Sequence, residues 1–165
     1  MRGAGEAPPP RSPWAAILAT AGAAAGLVAG LMFLTGEWGV LLLLGSFAPS
    51  ALIVFAYPDS PFAQPRNVVL GHLIGSASGL AAAHLLPGHG WAAALAVGVA
   101  IGLMKAARAV HPPACSNPLI VGALLAPAPW SFLLFPTLAG AAAIVAAALL
   151  YHNLRRPGPW PRYWL

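Results

Sequence analysis

Long apolar segments that carry almost no charge restrict the fold of this chain more than any other feature. Four of them, 14–35, 67–86, 91–110 and 131–152, are long enough to cross a bilayer, since a spanning helix needs about 20 apolar residues. Only 7% of the 165 residues are charged and 59% are hydrophobic, whereas a soluble domain has roughly 25% charged residues. The sequence therefore predicts an all-α, polytopic transmembrane bundle and excludes a soluble or a disordered chain.

Two further apolar segments are interrupted. Residues 38–56 are long enough to span, but Gly-Ser-Phe-Ala-Pro-Ser breaks them at 45–50, and the run 119–126 is too short to cross alone. An extended stretch over 111–116 followed by a helix over 117–126 would cover the hydrocarbon thickness of about 30 Å. This pattern predicts about six crossings with two broken helices. Non-helical backbone at membrane depth needs hydrogen bonds from protein or from a wet cavity, so the breaks indicate a buried functional centre.

Positive charge sets the predicted orientation. With six crossings, all eight Lys and Arg residues fall on one side, in the N-tail 1–13, the loop 57–66, the region 105–113 and the C-tail 153–165. Basic residues favour the cytoplasmic side, so the transmembrane domain 14–152 is expected in the inner membrane with both termini cytoplasmic. If the short run only dips in and returns, the three C-tail arginines lie outside. The basic residues form no stripe for a phosphate backbone, so nucleic acid is not an expected partner.

Several stretches of the chain are similar to motifs of one membrane protein family. His-Pro-Pro-Ala at 111–114, followed by a small, polar and aliphatic run, resembles the signature of the HPP family of integral membrane proteins. The segment 58–68 with Gly-His at 71–72 also resembles that family, as do the tail segments 151–154 and 161–164.

The likeness covers roughly residues 38–164 and implies a small integral membrane protein. Plastid and cyanobacterial members of the HPP family are associated with nitrite transport, so the resemblance implies nitrite as a candidate solute. The chain departs from the family at Pro49, Cys115 and Asn117-Pro118, where relatives usually have runs of small residues. The family is usually described with four spans, whereas the charge pattern here predicts six crossings.

The two interruptions resemble each other. Residues 48–54 align with residues 115–121 at a constant offset of 67, and each lies between two full-length spans. Three crossings per half would make the second half inverted, and inverted repeats of this kind place the substrate near the bilayer midplane. The half-helices 49–56 and 117–126 would both begin at that centre, where their unsatisfied N–H groups suit a small anion. The alternative is coincidence, since Leu-Ile-Val triplets are common in an apolar chain.

The polar residues around the breaks are the candidates for binding the solute. No carboxylate lies deep in a predicted span, so histidine is the only obvious proton relay. The candidates are Ser46, Ser50, His72, His111, Cys115, Ser116 and Asn117. Alternatively, the serines and the asparagine satisfy backbone groups freed by the breaks, the histidines lie at the membrane surface, and the cysteine is a small buried filler.

A second group of polar residues could form a vestibule that attracts the anion. They are Gln64, Arg66, Asn67, Lys105 and Arg108. Lys105, Arg108 and His111 follow one another at three-residue spacing, which predicts that they share one helix face. Alternatively, the lysine and Arg108 only snorkel at the membrane surface, and the other three only anchor the start of the third span.

Glycines recur every fourth residue in three predicted spans. They are Gly22, Gly26 and Gly30, then Gly71, Gly75 and Gly79, then Gly98 and Gly102. Such faces let helices approach closely, either within the bundle or between copies in a homo-oligomer.

The predicted function is transport of a small inorganic anion, with nitrite implied by the resemblance, through a channel or a proton-coupled carrier. One alternative is a pore for a small neutral solute, and another is a non-transporting subunit that docks a partner through its glycine faces. The sequence has no nucleophile–base–acid set and no metal-ligand spacing, so we expect no enzyme, cofactor or metal. The expected partners are the lipid bilayer and the small anion.

Overall fold

Six α-helices make up most of the part of the chain that the structure, a computed structural model, describes. The described residues are 7–39, 43–123, 128–155 and 159–164. The helices are α1 (Trp14–Trp38), α2 (Phe47–Ala56), α3 (Pro65–Leu85), α4 (Trp91–Ala106), α5 (Asn117–Gly122) and α6 (Ala139–Arg155). Short 3₁₀ or π turns lie at Pro61–Ala63, Pro112–Ser116, Trp130–Leu133 and Leu134–Leu138. No strand occurs in these ranges, and the predicted all-α membrane bundle is confirmed.

The helices differ in whether their length allows them to cross a bilayer. Within the described ranges, three stretches are long and apolar enough: Trp14–Glu37, Pro65–Leu85 and Trp130–Arg155. α2 and α4 are apolar but have only 10 and 16 residues. They extend about 15 Å and about 24 Å, against a hydrocarbon core of about 30 Å. Of the predicted span 91–110, only the part up to Ala106 is helical. The number of six crossings stays a prediction.

The second break differs from the extended stretch predicted for 111–116. The five residues after His111 form a 3₁₀ turn, and α5 follows directly. A 3₁₀ turn rises only about 2 Å per residue, so turn and helix together reach about 19 Å. The expected extended conformation is wrong because the Pro-Pro pair starts a turn, in which the Ala114 N–H donates to the His111 carbonyl at 3.0 Å, whereas the crossing itself stays a prediction. Residues 124–126 of the predicted half-helix lie outside the described residues.

The first break begins a helix as predicted, although two residues earlier. α2 starts at Phe47 rather than at Pro49, and it ends at Ala56. Pro49 lies in the first turn, where a proline costs no hydrogen bond because N–H groups there have no partner within the helix. Pro118 has the same place at the start of α5.

α3 contacts most other elements of the bundle, and its glycines let the second break lie directly on it. An added Cβ at Gly71 would lie 2.6 Å from the Cβ of His111. At Gly75 the added atom would overlap the carbonyl oxygen of Ala114. At Gly79 it would lie too close to the Cα of Pro118. This glycine face therefore serves packing inside the bundle.

The other predicted glycine faces lack such neighbours. Among the described residues, no neighbouring atom lies within 4 Å of a Cβ added to the following positions: Gly22, Gly26, Gly30, Gly98 and Gly102. α1, which carries the first three, packs against α2 and α6 with its other faces. Homo-oligomer formation through these glycines stays a prediction.

Candidate solute-binding site

His72, in the middle of α3, is the centre of the candidate site and is completely buried. The Oγ of Ser50 in α2 lies 3.0 Å from its Nε2. On the other side of the ring, the Nδ2 of Asn117 at the start of α5 lies 3.2 Å from its Nδ1. Phe47 packs edge-on against the imidazole, with ring centroids 5.0 Å apart. The starts of both half-helices therefore meet at one histidine.

His111, the residue before the Pro-Pro pair, is joined to His72 through Ser50. Its Nε2 lies 2.8 Å from the Oγ of Ser50, and its Nδ1 lies 2.7 Å from the carbonyl oxygen of Phe62. The centroids of the two imidazoles are 5.0 Å apart, and His111 is also completely buried. One hydroxyl thus bridges both histidines.

Backbone carbonyls fix the direction of these hydrogen bonds, because a carbonyl oxygen only accepts. The Nδ1–H of His111 donates to Phe62, so the Nε2 of the neutral ring is an acceptor. The single hydroxyl hydrogen of Ser50 therefore has two acceptors within reach, this Nε2 at 2.8 Å and the carbonyl oxygen of Ser46 at 2.9 Å. The Nδ2 of Asn117 also lies 3.3 Å from the carbonyl oxygen of His72, so this end of the amide is the NH₂ group. The Nδ1 of His72 therefore accepts, and its Nε2–H donates to Ser50.

The hydrogen bonds continue from Asn117 to the turn before α6. The Nδ2 of Asn117 donates to the Oγ of Ser76 at 2.9 Å, and the Oγ1 of Thr137 donates to the same oxygen at 2.9 Å. Ser76 follows His72 by one helical turn, a spacing that could have identified it from the sequence. Thr137 gave no such signal. We call the following six residues the histidine cluster: Ser50, His72, Ser76, His111, Asn117 and Thr137.

Two buried atoms at the cluster have no hydrogen-bond partner among the described residues: the Oγ of Ser46 and the Oδ1 of Asn117. Ser46 lies one turn before Ser50, whose hydroxyl is 2.9 Å from the Ser46 carbonyl oxygen. A buried polar atom without a partner costs about 1–3 kcal/mol, so these two atoms favour binding of a small polar molecule.

No carboxylate belongs to the cluster, and the acidic residues of the described ranges lie at its periphery. Glu37 is exposed near the end of α1. Asp59 forms an ion pair with Arg162 at 3.1 Å, and both side chains are at least half exposed. The electrostatic character of the site therefore depends on hydroxyl, amide and imidazole dipoles.

Cys115 and Ser116, two of the predicted binding residues, lie outside the histidine cluster. Both are half-buried in the 3₁₀ turn after His111. The hydroxyl of Ser116 donates to the carbonyl of Pro113 at 2.8 Å, and the free thiol of Cys115 packs beside the buried Met104. These contacts match the alternatives given above: Ser116 satisfies a backbone group, and Cys115 fills space as a small side chain.

Gln64 is completely buried and uses both ends of its amide to hold the chain together. Its Nε2 donates to the carbonyls of Pro58 and Ser60, both at 2.9 Å. Its Oε1 accepts from the backbone N–H of Arg162 at 2.9 Å. These contacts match the anchoring alternative, because they leave the Gln64 side chain inside the protein.

Arg66 and Asn67, at the start of α3, bind the segment that connects α4 to the second break. The Nη2 of Arg66 donates to the carbonyl of Ala107 at 3.0 Å. The Nδ2 of Asn67 donates to the carbonyl of Val110 at 2.9 Å. The residue next to His111 is thereby held against α3.

Lys105 and Arg108 do not share a helix face with His111. α4 ends at Ala106, and Arg108 has a φ of 55°, in the left-handed region that interrupts a right-handed helix. The predicted common face is wrong because the helical geometry ends between these residues. Both basic side chains are exposed, which matches the snorkelling alternative.

The C-terminal residues 159–164 fold back onto the loop 57–67, and we call them the C-terminal clamp. Trp160 is buried, and its Nε1 donates to the carbonyl of Pro58 at 3.2 Å. The hydroxyl of Tyr163 donates to the Oδ1 of Asn67 at 3.1 Å. The two distant sequence motifs at 58–68 and 161–164 are therefore in direct contact.

A cavity of about 480 Å³ lies between α3, α4 and α5, beside the 86–90 turn. Gly79 and Pro118 line its inner end. Pro118 follows Asn117 directly, but no residue of the histidine cluster lines the cavity, and Gly79 packs closely against Pro118 at its inner end. This cavity could not be predicted from the sequence, since it depends on how three helices of different length pack together.

Comparison with known proteins identifies the family. The family profile described as HPP, transmembrane region, matches residues 7–161. Two curated transmembrane proteins of Dictyostelium discoideum are similar to the chain. One is 37% identical over 129 residues, which are 74% of this chain and 45% of the relative. The other is 35% identical over 137 residues, which are 79% of this chain and 44% of the relative.

The chain thus spans less than half the length of these two relatives. No solved structure matches it significantly. The family profile, by contrast, covers nearly all of the chain, including the His-Pro-Pro segment that lies against α3. The protein therefore belongs to the HPP transmembrane family.

Proposed function

We propose that this protein transports a small inorganic anion across the bilayer, with the histidine cluster as its binding site. One observation carries the proposal: two completely buried histidines are joined by a buried serine inside an apolar bundle. Ionisable residues are costly within a membrane and mark ion or substrate pathways there. The membrane location itself rests on the family and on the three long apolar helices.

Hydrogen-bond donors at the cluster support an anion as the solute. The first turn of α2 carries the positive end of the helix dipole, and Ser46 and Ser50 lie at this turn. The backbone N–H of Phe47 already donates to Leu44 at 2.9 Å, so the side chains are the more important donors. The buried hydroxyl of Ser46 has no partner among the described residues and is able to donate to an anion. Nitrite is the candidate that the family resemblance implies.

Access to the cluster supports transport rather than static binding. From the 86–90 turn, the cavity leads to Pro118. At the opposite end, the carbonyl of Phe62 covers the Nδ1 of His111, and the C-terminal clamp lies on the same loop. The cluster thus has a cavity one residue away on one side and a closed loop on the other, so transport requires that the Gly79–Pro118 contact and the loop open in turn.

The test is anion uptake by proteoliposomes that contain the purified protein. We expect uptake above that of protein-free vesicles and a strong loss of uptake in His72→Ala. The matched control is His84→Ala, which removes another histidine of α3. His84 bonds the carbonyl of Ala128 at 2.9 Å and lies outside the cluster, so this variant should transport like the parent.

The choice of anion decides whether the result can be interpreted. Protonated nitrous acid crosses lipid unaided, so nitrite uptake needs the protein-free control, whereas nitrate is the anion of a strong acid. Uptake of no anion by protein that keeps its helical content and its elution volume would contradict the proposal. That outcome would favour the non-transporting subunit.

A pore for a small neutral solute is the second candidate, and one observation favours it. The Oδ1 of Asn117 is a buried acceptor without a partner in the described ranges. An acceptor repels an anion but suits a solute that can donate a hydrogen bond. Light scattering during osmotic swelling with urea or ammonia would show accelerated entry if this candidate is correct.

A further inference from the structure

Ser50 stands between the two histidines with one hydroxyl and no intervening group. Its Oγ lies 3.0 Å from the Nε2 of His72 and 2.8 Å from the Nε2 of His111, both within hydrogen-bond range. The direction set by the backbone carbonyls runs from His72 through Ser50 to His111, and it ends at Phe62. When the Ser50 hydroxyl turns from the Ser46 carbonyl to His111, all bonds in this series point the same way, as transfer of a proton along them requires.

We propose that Ser50 relays a proton from His72 to His111, so that the solute and a proton move together; this rests on the proposed transport function. When a proton adds to the Nδ1 of His72, its Nε2–H bond breaks as a new O–H bond forms at Ser50. The earlier O–H bond of Ser50 breaks as an N–H bond forms at the Nε2 of His111. One proton and one positive charge move, and no electron is exchanged. His111 releases its Nδ1 proton once the Phe62 carbonyl has moved away.

Asn117 links proton entry to the solute. Its Nδ2 lies 3.2 Å from the Nδ1 of His72 and keeps a proton from that nitrogen. Asn117 also lies beside Pro118, at the inner end of the cavity. Once the contact between Gly79 and Pro118 opens, a solute from the cavity that attracts the amide of Asn117 uncovers the nitrogen, so solute and proton reach His72 from the same end.

The other titratable or charged side chains on the elements around the histidine pair, within the described ranges, face elsewhere. They are Tyr57, Asp59, Arg66, His84, Lys105, Arg108, Cys115, Tyr151, His152, Arg155, Arg162 and Tyr163. The carbonyl oxygen of Ser46, 2.9 Å from the Oγ of Ser50, can accept a hydrogen bond but is far too weak a base to take the proton. The two imidazoles are therefore the groups that hold the proton at each end of the relay.

The experiment follows nitrate and proton entry together, in proteoliposomes with a pH-sensitive dye inside. In the parent protein, nitrate entry is expected to acidify the lumen. In Ser50→Ala, the rate of proton entry should fall by about 100-fold. Ser50→Thr keeps a hydroxyl and should keep proton entry. Ser78→Ala, which removes a buried hydroxyl without a described partner from α3, should behave like the parent.

Each outcome separates the relay from the transport function. Nitrate entry without acidification in the parent, or an unchanged rate of proton entry in Ser50→Ala, overturns the relay but leaves transport intact. If the parent carries no anion, the transport proposal fails, and proton entry under an imposed pH gradient tests the relay alone. The relay then stands if the parent conducts protons and Ser50→Ala does not, and it falls otherwise. If Ser50→Ala does not fold, proton entry in the parent should be slower in D₂O than in H₂O, and equal rates overturn the relay.

Discussion

Asn117 offers one amide group to three acceptors inside an apolar bundle. These are the Nδ1 and the carbonyl oxygen of His72, at 3.2 and 3.3 Å, and the Oγ of Ser76 at 2.9 Å. Where water is excluded, an acceptor that loses its partner finds no replacement. The side chain at position 117 therefore fixes the rotation of the His72 ring and the first turn of α5 at once.

Replacing Asn117 with Leu is expected to lower anion flux far more than it lowers expression. Leucine has a similar size but no donor. The free energy of unfolding should therefore fall by about 1–3 kcal/mol, the cost of a buried polar group without a partner. Nitrate uptake per reconstituted protein is the measurement. Leu119→Ala is the control, because Leu119 is on the same helix and 52% exposed. Parental flux in Asn117→Leu would mean that the second break is not the solute site.

Single residues of the cluster could be predicted to different degrees. The meeting of Ser50, His72 and Asn117 follows from two interrupted segments that each put a polar residue at a helix start. The partnership of Thr137 with Ser76 could not be predicted, because it depends on how the turn before α6 packs on α3. The contact that fixes the proton on His111 comes from a backbone carbonyl, which any residue at position 62 would supply.

At the scale of elements, the contact between α3 and the second break depends on the absence of side-chain atoms. A Cβ at Gly75 would overlap the carbonyl oxygen of Ala114, which belongs to the backbone and cannot rotate away. The sequence predicted a close helix contact here without naming its partner. It also predicted a helix to residue 110, although α4 ends at Ala106. Arg108 has a left-handed backbone conformation, which an arginine, unlike a glycine, does not indicate in a sequence.

Gly75→Ala should reduce the free energy of unfolding by about 1–3 kcal/mol, as overpacking of a core does. Gly98→Ala is the matched control, since no neighbouring atom lies within 4 Å of a Cβ at Gly98 in the described structure. Alanine is the better helix former by about 1 kcal/mol, so this control should be unchanged or more stable. The midpoint of thermal unfolding in detergent gives the comparison. Equal shifts in both variants would show that close approach is not why position 75 is glycine.

The C-terminal clamp is expected to hold the loop 57–67 in place. Trp160→Ala removes a buried aromatic side chain, a change that costs about 3–5 kcal/mol in a core, and the hydrogen bond to Pro58. Hydrogen exchange should therefore become faster in residues 57–67, whereas it should stay unchanged in the middle of α3. Trp164→Ala provides the control, because Trp164 is 56% exposed. If exchange in the loop is the same in both variants, the clamp does not hold it.

At the scale of the whole molecule, the basic regions gather at one end of the bundle. The start of α3 bonds residues 107–110, and the C-terminal clamp bonds the loop before α3. Near the N-terminal end of α1, the hydroxyl of Thr20 lies 3.4 Å from that of Tyr151 near the end of α6. The 86–90 turn lies at the opposite end of α3. The basic regions thus lie at the same end of the bundle, as the distribution of Lys and Arg in the sequence predicts. That this end faces the cytoplasm stays a prediction.

Cysteine labelling tests that orientation. In a Cys115→Ser background, single cysteines at positions 4, 89 and 158 should report inside, outside and inside, because basic regions are retained in the cytoplasm. An impermeant thiol reagent added to intact cells should modify only the cysteine at position 89 until the membrane is opened. A C-tail that reacts from outside would exclude the six-crossing arrangement and the inverted repeat with it.

The glycine row of α3 limits where the preference for a solute can be changed. Positions 71, 75 and 79 have no room for a side chain beside the second break, so this wall of the site is fixed by the backbone. Ser46, Ser50 and Thr137 approach from α2 and from the turn before α6, which contain no glycine. A library of variants at these three positions is therefore the direct way to search for a changed solute preference.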